Sequence, residues 1–252
     1  MNAQYMTSSE LKSQAKNLLE GRYGYAMLIL FLGNMVTMAL SMAVNSVLGV
    51  SQVILTLSPL PRMLISLLSH SVISLFTNIL SAGYALFFLN MACRRSYDIG
   101  NLFYGYKWQF RKCLSLSGVF VLVNLVTLLP YNICFGMFLQ TRSTGWLMGA
   151  LLASSAAMII STLFLLVFSQ CYYLMLDFPN YSAEQLLRSS MQVMRGHKGR
   201  LFYLHVSFLP LLLLALLSCG VGMLWIRPYM QMTYTCFFLD LMNPGKTSGE
   251  AA

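Results

Sequence analysis

The chain has 252 residues, of which 58% are hydrophobic and only 9% charged, and its formal net charge is +9. Long apolar runs at that density exclude a soluble globular domain and point to an all-α integral membrane protein. In such a chain surplus Lys and Arg mark the cytoplasmic side and its anionic lipid, so the positive charge does not argue for a nucleic-acid partner.

Residues 1–25 read as a cytoplasmic amphipathic N-terminal helix. Thr7-Ser8-Ser9-Glu10 has the form of a capping box, in which a hydroxyl and a carboxylate satisfy the first backbone N–H groups reciprocally. Leu11, Ala15, Leu18 and Leu19 then share one face, and Glu10, Ser13, Asn17 and Glu20 the other. Gly21 ends the helix, and Tyr23 and Tyr25 suit the headgroup level. No short apolar segment with a small-residue cleavage site opens the chain, so the first span is expected to act as an uncleaved anchor.

Residues 26–242 read as a membrane domain of about six transmembrane helices, the first long enough to cross about 30 Å of hydrocarbon and the sixth too short to do so with the part after Pro228 alone. The expected spans are 26–50, 63–91, 113–139, 146–176, 201–219 and 223–241. Ser58-Pro59-Leu60-Pro61-Arg62 is turn chemistry between the first two. The segment 96–112 alternates aromatic and basic residues and reads as interfacial. Pro130 is expected to kink or end the third span, and Gly149, Ala150, Ala153 and Ala157 allow close approach in the fourth. Asp177-Phe178-Pro179-Asn180 breaks the chain into a second interfacial segment, 177–200. The sixth span is interrupted by Arg227-Pro228, with Arg227 reaching to the outer interface. Residues 243–252 read as a disordered polar tail.

Within 177–200, Ser182-Ala183-Glu184-Gln185 is a second capping box. Leu186, Leu187, Met191, Val193 and Met194 fall on one arc of the helix that follows, opposite Glu184, Arg188, Gln192 and Arg195. Such a helix either lies along the membrane surface or packs on neighbouring protein. Gly196 stands where a left-handed C-cap belongs. Leu18-Leu19-Glu20-Gly21-x-x-Gly24 and Val193-Met194-Arg195-Gly196-x-x-Gly199 form a weak internal repeat, each copy lying between an amphipathic helix and a span.

Charge placement orients the scheme. With both termini cytoplasmic, only Arg62, Arg142 and Arg227 of the 16 Lys and Arg face outward, and all 7 acidic residues lie at inner positions. No charged residue is expected at mid-span. Six cysteines at uneven spacings form no Cys-x-x-Cys pair and read as packing residues, although Cys134 and Cys219 both fall near the expected outer leaflet.

No catalytic, cofactor or metal motif is present: there is no His-Glu-x-x-His, Gly-x-Ser-x-Gly or Walker loop. The chain therefore reads as non-enzymatic and without a cofactor. Two groups of residues are the candidate sites. The inner cluster Asp177, Arg195, His197, Lys198 and Arg200 suits an anionic headgroup or the acidic segment of a membrane protein partner; the plainer reading is orientation by positive charge. Arg227, Pro228 and Tyr229 form the candidate outer re-entry turn. His205 beside Asp177 or Asp240 is the one arrangement that offers acid–base chemistry. His70, Asn34, Asn78 and Asn124 either line a polar path or bond helix to helix.

The opening Leu11-Lys12-x-x-Ala15-Lys16-x-x-Leu19-x-Gly21-x-Tyr23-Gly24-x-Ala26 resembles an uncharacterised family of multi-pass bacterial membrane proteins common in Firmicutes, the domain of unknown function nine-seventy-five. Closer still are Tyr173-x-x-x-Asp177-x-Pro179, Arg195-Gly196-His197-Lys198-x-Arg200-Leu201-Phe202 and Gly220-x-Gly222-x-Leu224-Trp225-x-x-Pro228-Tyr229-x-x-x-Thr233. Family members often carry Pro-Gly in the span before the Asp-x-Pro turn, and this chain has small residues there instead. The resemblance implies fold and bacterial cytoplasmic-membrane location, and no activity. The expectation is a membrane protein acting through lipid or a protein partner; the alternative is a small permease or export component.

Overall fold

The computed structural model describes residues 5–47 and 59–244. Their order is α1 (Ser8–Leu19), α2 (Tyr23–Val47), α3 (Pro59–Ala92), a 3-10 turn (Ile99–Phe103), the single turn α4 (Tyr104–Lys107), α5 (Phe110–Thr141), α6 (Thr144–Phe168), α7 (Cys171–Asp177), α8 (Ala183–Val193), α9 (Lys198–Val206), α10 (Leu209–Leu217) and α11 (Met223–Met242). No strand occurs among the described residues.

Five described stretches are long and apolar enough to cross a membrane: Tyr23–Val47, Met63–Ala92, Phe110–Thr141, Thr144–Asp177 and Lys198–Leu217. The molecule is an all-α, multi-pass membrane protein. A further span is expected from the sequence at 223–241. The helix there, α11, has 20 residues and a length of about 30 Å, but Arg227, Gln231, Thr233, Thr235 and Asp240 make it less apolar than the other five.

Local chemistry starts and stops the helices as their sequences require. The Thr7 hydroxyl accepts from Glu10 N–H while the Glu10 carboxylate accepts from Thr7 N–H, and Ser182 and Gln185 do the same for α8. Gly21 (φ 71°) and Gly196 (φ 88°) take the left-handed conformation that ends both amphipathic helices, so the two copies of the weak repeat make the same turn. Pro59 and Pro61 lie within the first turn of α3, where a missing N–H costs nothing, so the expected turn at 58–62 is largely helix; Ser58 lies outside the described residues. Pro130 sits inside α5, which continues to Thr141. Of the expected tail only Asn243 and Pro244 are described.

The chain forms two compact units: Met1–Asn34, Leu80–Gln109 and Leu166–Ala252, and Met35–Ile79 with Phe110–Leu165. The first has α11 at its centre. Met232, Thr233, Thr235, Cys236, Phe237 and Phe238 are all buried. α1 packs lengthwise against α11 through Leu11, Ala15 and Leu19, and keeps Glu10, Ser13, Lys16, Asn17 and Glu20 exposed. α8 packs on α7, with Leu186, Ser190 and Met194 buried and the Ser190 hydroxyl donating to the Val167 carbonyl at 2.7 Å. Its contacts are thus with protein along that face, although Met191 stays exposed.

The expected fifth span is two helices. Pro210, lacking an N–H, lies at the start of α10, and the helix breaks at Ser207–Phe208. Lys12 reaches this break from α1: its Nζ donates to the Ser207 carbonyl at 2.8 Å and lies 4.2 Å from the Phe208 ring centre. Between α3 and α5 the chain folds back on α3. Asp98 caps the 3-10 turn, Leu102 is fully buried, and a Cβ on Gly83 would collide with the Leu102 backbone. Trp108 remains exposed.

In the second unit α5 and α6 form a hairpin closed at Arg142 (φ 52°). Phe120 meets Phe164 edge to face at 5.4 Å, and Gly149 brings α6 close to Cys134. Ser69 donates to Asn45 Oδ1 at 2.7 Å. Leu151, Leu152, Met158 and Ile159 are exposed, as suits a helix surrounded by lipid. Cys134 and Cys219 are both free thiols.

Candidate functional site

The positively charged turn after α8 is where the first unit is tied together. Arg200, one turn into α9, donates from Nη2 to Asp240 Oδ2 at 2.6 Å and to the Met6 carbonyl at 2.7 Å. Met6 N–H donates to Asp240 Oδ1 at 3.1 Å. Each carboxylate oxygen therefore has a donor, which a buried charge requires. The Asp240 side chain is 1% exposed and that of Arg200 27%. Aromatic rings complete the surround: Arg200 lies 4.8 Å from the Tyr5 centroid and 5.4 Å from that of Phe237. Tyr5 in turn meets His197 edge to face at 4.5 Å.

This cluster fastens three distant pieces of chain: residues 5 and 6, the start of α9, and the end of α11. Burial and the neighbouring Arg200 cation push the His197 pKa down, against the opposing pull of Asp240. His197 Nδ1 lies 3.4 Å from Arg200 Nη1 and is placed to accept from it in its neutral form.

The structure divides the inner cluster expected from sequence. His197 and Arg200 come together, with Asp240 as the carboxylate. Arg195 and Lys198 remain exposed, and neither forms a salt bridge among the described residues. Asp177 stands apart at the end of α7, where Arg95 is the cation close enough to act on it. From the sequence Asp240 enters only as a candidate partner for His205. Its true signal was its setting: a lone carboxylate between Phe237, Phe238 and Leu241 is either lipid-exposed at prohibitive cost or paired inside protein.

His205 has other partners. Its Nδ1 lies 2.8 Å from the Leu201 carbonyl and its ring stacks on Tyr234 at 4.8 Å. Among the described residues neither Asp177 nor Asp240 bonds to it, so the acid–base pairing considered from sequence is not formed.

The candidate outer turn is also rearranged. Arg227, Pro228 and Tyr229 lie within α11, which continues through Pro228 although the proline has no N–H to offer the Leu224 carbonyl. Pro228 is buried, and Tyr229 meets Phe208 edge to face at 5.4 Å. Arg227 Nη1 donates to Asn34 Oδ1 at 3.0 Å. Asn34 stands roughly 16 Å along α2 from Tyr23 at 1.5 Å per residue. Arg227 is therefore held beside the middle of the first span instead of at its far end. Tyr84 of α3 fills the space over Gly33 next to this pair.

Of the remaining polar residues, His70, Ser71, Ser74 and Asn124 line a small cavity in the second unit. Among the described residues no group of three or more His, Cys, Asp or Glu is placed to hold a metal ion.

A family model described as a protein of unknown function (DUF975) matches residues 5–244. No curated protein and no solved structure matches the chain.

Proposed function

We propose a role for this chain on the premise that it belongs to the DUF975 family: it is a non-enzymatic protein of the bacterial cytoplasmic membrane, with both termini cytoplasmic, that works by holding anionic lipid headgroups at its basic cytoplasmic turn. One observation carries the reading. Arg195 and Lys198 flank the left-handed Gly196 and stay exposed, while Arg200 and His197 beside them are fastened to Asp240 and Tyr5. The ordered pair anchors the turn, and the free pair presents two cations on a rigid base. Such a base lowers the ordering cost of binding a phosphate-bearing surface.

The test is crosslinking in native membranes with photoactivatable phospholipids, followed by purification in mild detergent. Anionic lipid should label the wild-type turn several-fold more than Arg195→Glu/Lys198→Glu, while zwitterionic lipid labels both alike. Equal anionic labelling of the two proteins would sink the lipid reading. A stoichiometric protein that co-purifies with the wild type, and is lost on charge reversal, would replace it with an acidic partner.

A second reading, a small permease, draws on His70 and Asn124, which meet at a small, apolar-walled cavity in the second unit, because an ionisable residue within a membrane span is how such proteins mark a pathway. Replacing His70 and Asn124 with apolar residues of similar size separates the readings: a transport phenotype lost by that change supports the permease, and a silent change leaves the lipid reading in place.

A further inference from the structure

We propose that α9, α10 and α11 form a re-entrant hairpin that enters and leaves the membrane on the face where α2 begins. Its apolar tip then contacts the acyl chains of one leaflet. The chain crosses the bilayer with α2, α3, α5 and the stretch from α6 to α7, and not with α9–α10 or α11. This inference does not depend on the lipid-headgroup reading.

The argument starts from landmarks on one face. α2 begins at Tyr23 and α3 ends at Ala92, and Arg22 joins these ends by donating to the Met91 carbonyl at 3.4 Å. Two further crossings, by α5 and by α6 to α7, return the chain to the same face, where α7 ends at Asp177. The turn at Gly220–Gly222, between α10 and α11, would therefore lie on the opposite face from Tyr23 if α9–α10 crossed.

It does not lie there. Tyr23 donates its hydroxyl to the Trp225 carbonyl at 3.4 Å, directly after that turn. The far end of α11 is held by α7: the Tyr173 and Thr235 hydroxyls are 3.0 Å apart, and Tyr173 stacks on Phe238 at 5.0 Å. Both ends of α11 thus touch residues of the same membrane face.

The helix α1 gives an independent check. It runs antiparallel along α11, from Met6 at Asp240 to Tyr23 at Trp225. If α11 crossed the membrane, α1 would be carried across with it, and the exposed Glu10, Lys16 and Glu20 would face hydrocarbon. A hairpin lying at one face leaves those charges in water.

The other side of the hairpin is made for lipid. Leu213, Leu214, Leu216, Leu217, Val221 and Trp225 are all more than half exposed. The Arg227–Asn34 bond sets the depth, since Asn34 is roughly 16 Å along α2, about half of a 30 Å hydrocarbon core. Acyl chains of the near leaflet are the occupant that fits this surface: an aqueous side would leave a continuous leucine patch in water, and the opposite leaflet lies beyond the reach of the tip.

Cys219, exposed at the tip, provides the test in the full-length chain. Cys93→Ser and Cys134→Ser remove the other partly accessible thiols, and Ser143→Cys (the α5–α6 turn) and Ser9→Cys (α1) serve as comparators. A membrane-impermeant maleimide is applied to vesicles of each orientation. Each comparator should label on one face only, the two faces being opposite, and Cys219 should label on neither. Labelling of Cys219 from the Ser143→Cys face, as fast as that comparator, means α9–α10 crosses and overturns the proposal. Labelling from the Ser9→Cys face at the comparator's rate means the hairpin lies in water and overturns it equally. A second readout avoids the cysteine changes. With Trp108→Phe and Trp146→Phe, fluorescence of the remaining Trp225 should be quenched by phospholipid brominated on the acyl chain. Absence of quenching also overturns the proposal.

Discussion

The two arms of the C-terminal hairpin are near in length and opposite in environment. The α9–α10 arm exposes Leu213, Leu214, Leu216 and Leu217, while α11 buries Met232, Phe237, Phe238 and Asp240. The more apolar arm faces outward, and the arm with an Arg, an Asp and two buried threonines forms the centre of the first unit. This inversion of the soluble-protein rule has a simple cause: in a membrane, leucines facing outward meet lipid, whereas polar groups need partners that only protein supplies. Asp240 finds them in Arg200 and Met6, Thr235 in Tyr173, and Arg227 in Asn34.

Substitutions on the two arms test that contrast most sharply. Phe237→Ala, at a fully buried position, should lose about 3–5 kcal/mol through the cavity left behind. Leu216→Ala, 75% exposed, should change stability by less than about 0.5 kcal/mol. Thermal unfolding of purified protein in one detergent measures both, and equal losses would erase the distinction between the arms.

Next in size is the fastening at the hairpin base. Arg200→Ala strands a buried carboxylate and should cost about 3 kcal/mol or more, whereas Arg200→Met with Asp240→Leu should recover most of that loss, because an apolar pair needs no desolvation. A double variant as unstable as Arg200→Ala would show that Asp240 needs its charge for another reason.

A smaller effect is expected where α1 is laid along α11. Thr7→Ala removes the hydroxyl of the capping box and should cost about 1 kcal/mol. Limited proteolysis at Lys12 and Lys16 should report it as faster cleavage, and an unchanged rate would mean that packing on α11 alone holds α1.

The smallest expected effect is one of pH. The His197 pKa is lowered in the folded protein, so the unfolded chain binds the proton more readily. Stability from this group is present above the ordinary histidine value of about 6.5 and is lost as pH falls through the lower folded value. Mild acid should loosen residues 5 and 6 from the hairpin base, seen as faster amide exchange at Met6, and His197→Gln should flatten that dependence.

How much was legible follows the range of each interaction. Both capping boxes, the left-handed Gly21 and Gly196 and the aromatic character of 96–112 were readable because each depends on residues within a turn or two. The contact between Arg200 and Asp240 was not, since 40 positions separate them and no local pattern links the two. Arg227 was misplaced for a related reason. Counting apolar runs assigns alternate faces to successive turns, whereas the Tyr23–Trp225 and Arg227–Asn34 bonds that tie this stretch to α2 join residues 202 and 193 positions apart.

By itself, the amino-acid sequence determined that this is a helical, multi-pass membrane protein of the DUF975 pattern, and where most of its helices start and stop. Burial cost and capping chemistry are properties of short segments, so they survive without knowledge of the fold. Only the tertiary structure decided which apolar helices face lipid and which face protein, and which charges are free. Lipid tails and a protein core are equally apolar to a leucine, so hydropathy cannot tell them apart. The partner of a buried charge is the neighbour that folding brings to it, and for Asp240 that neighbour is Arg200.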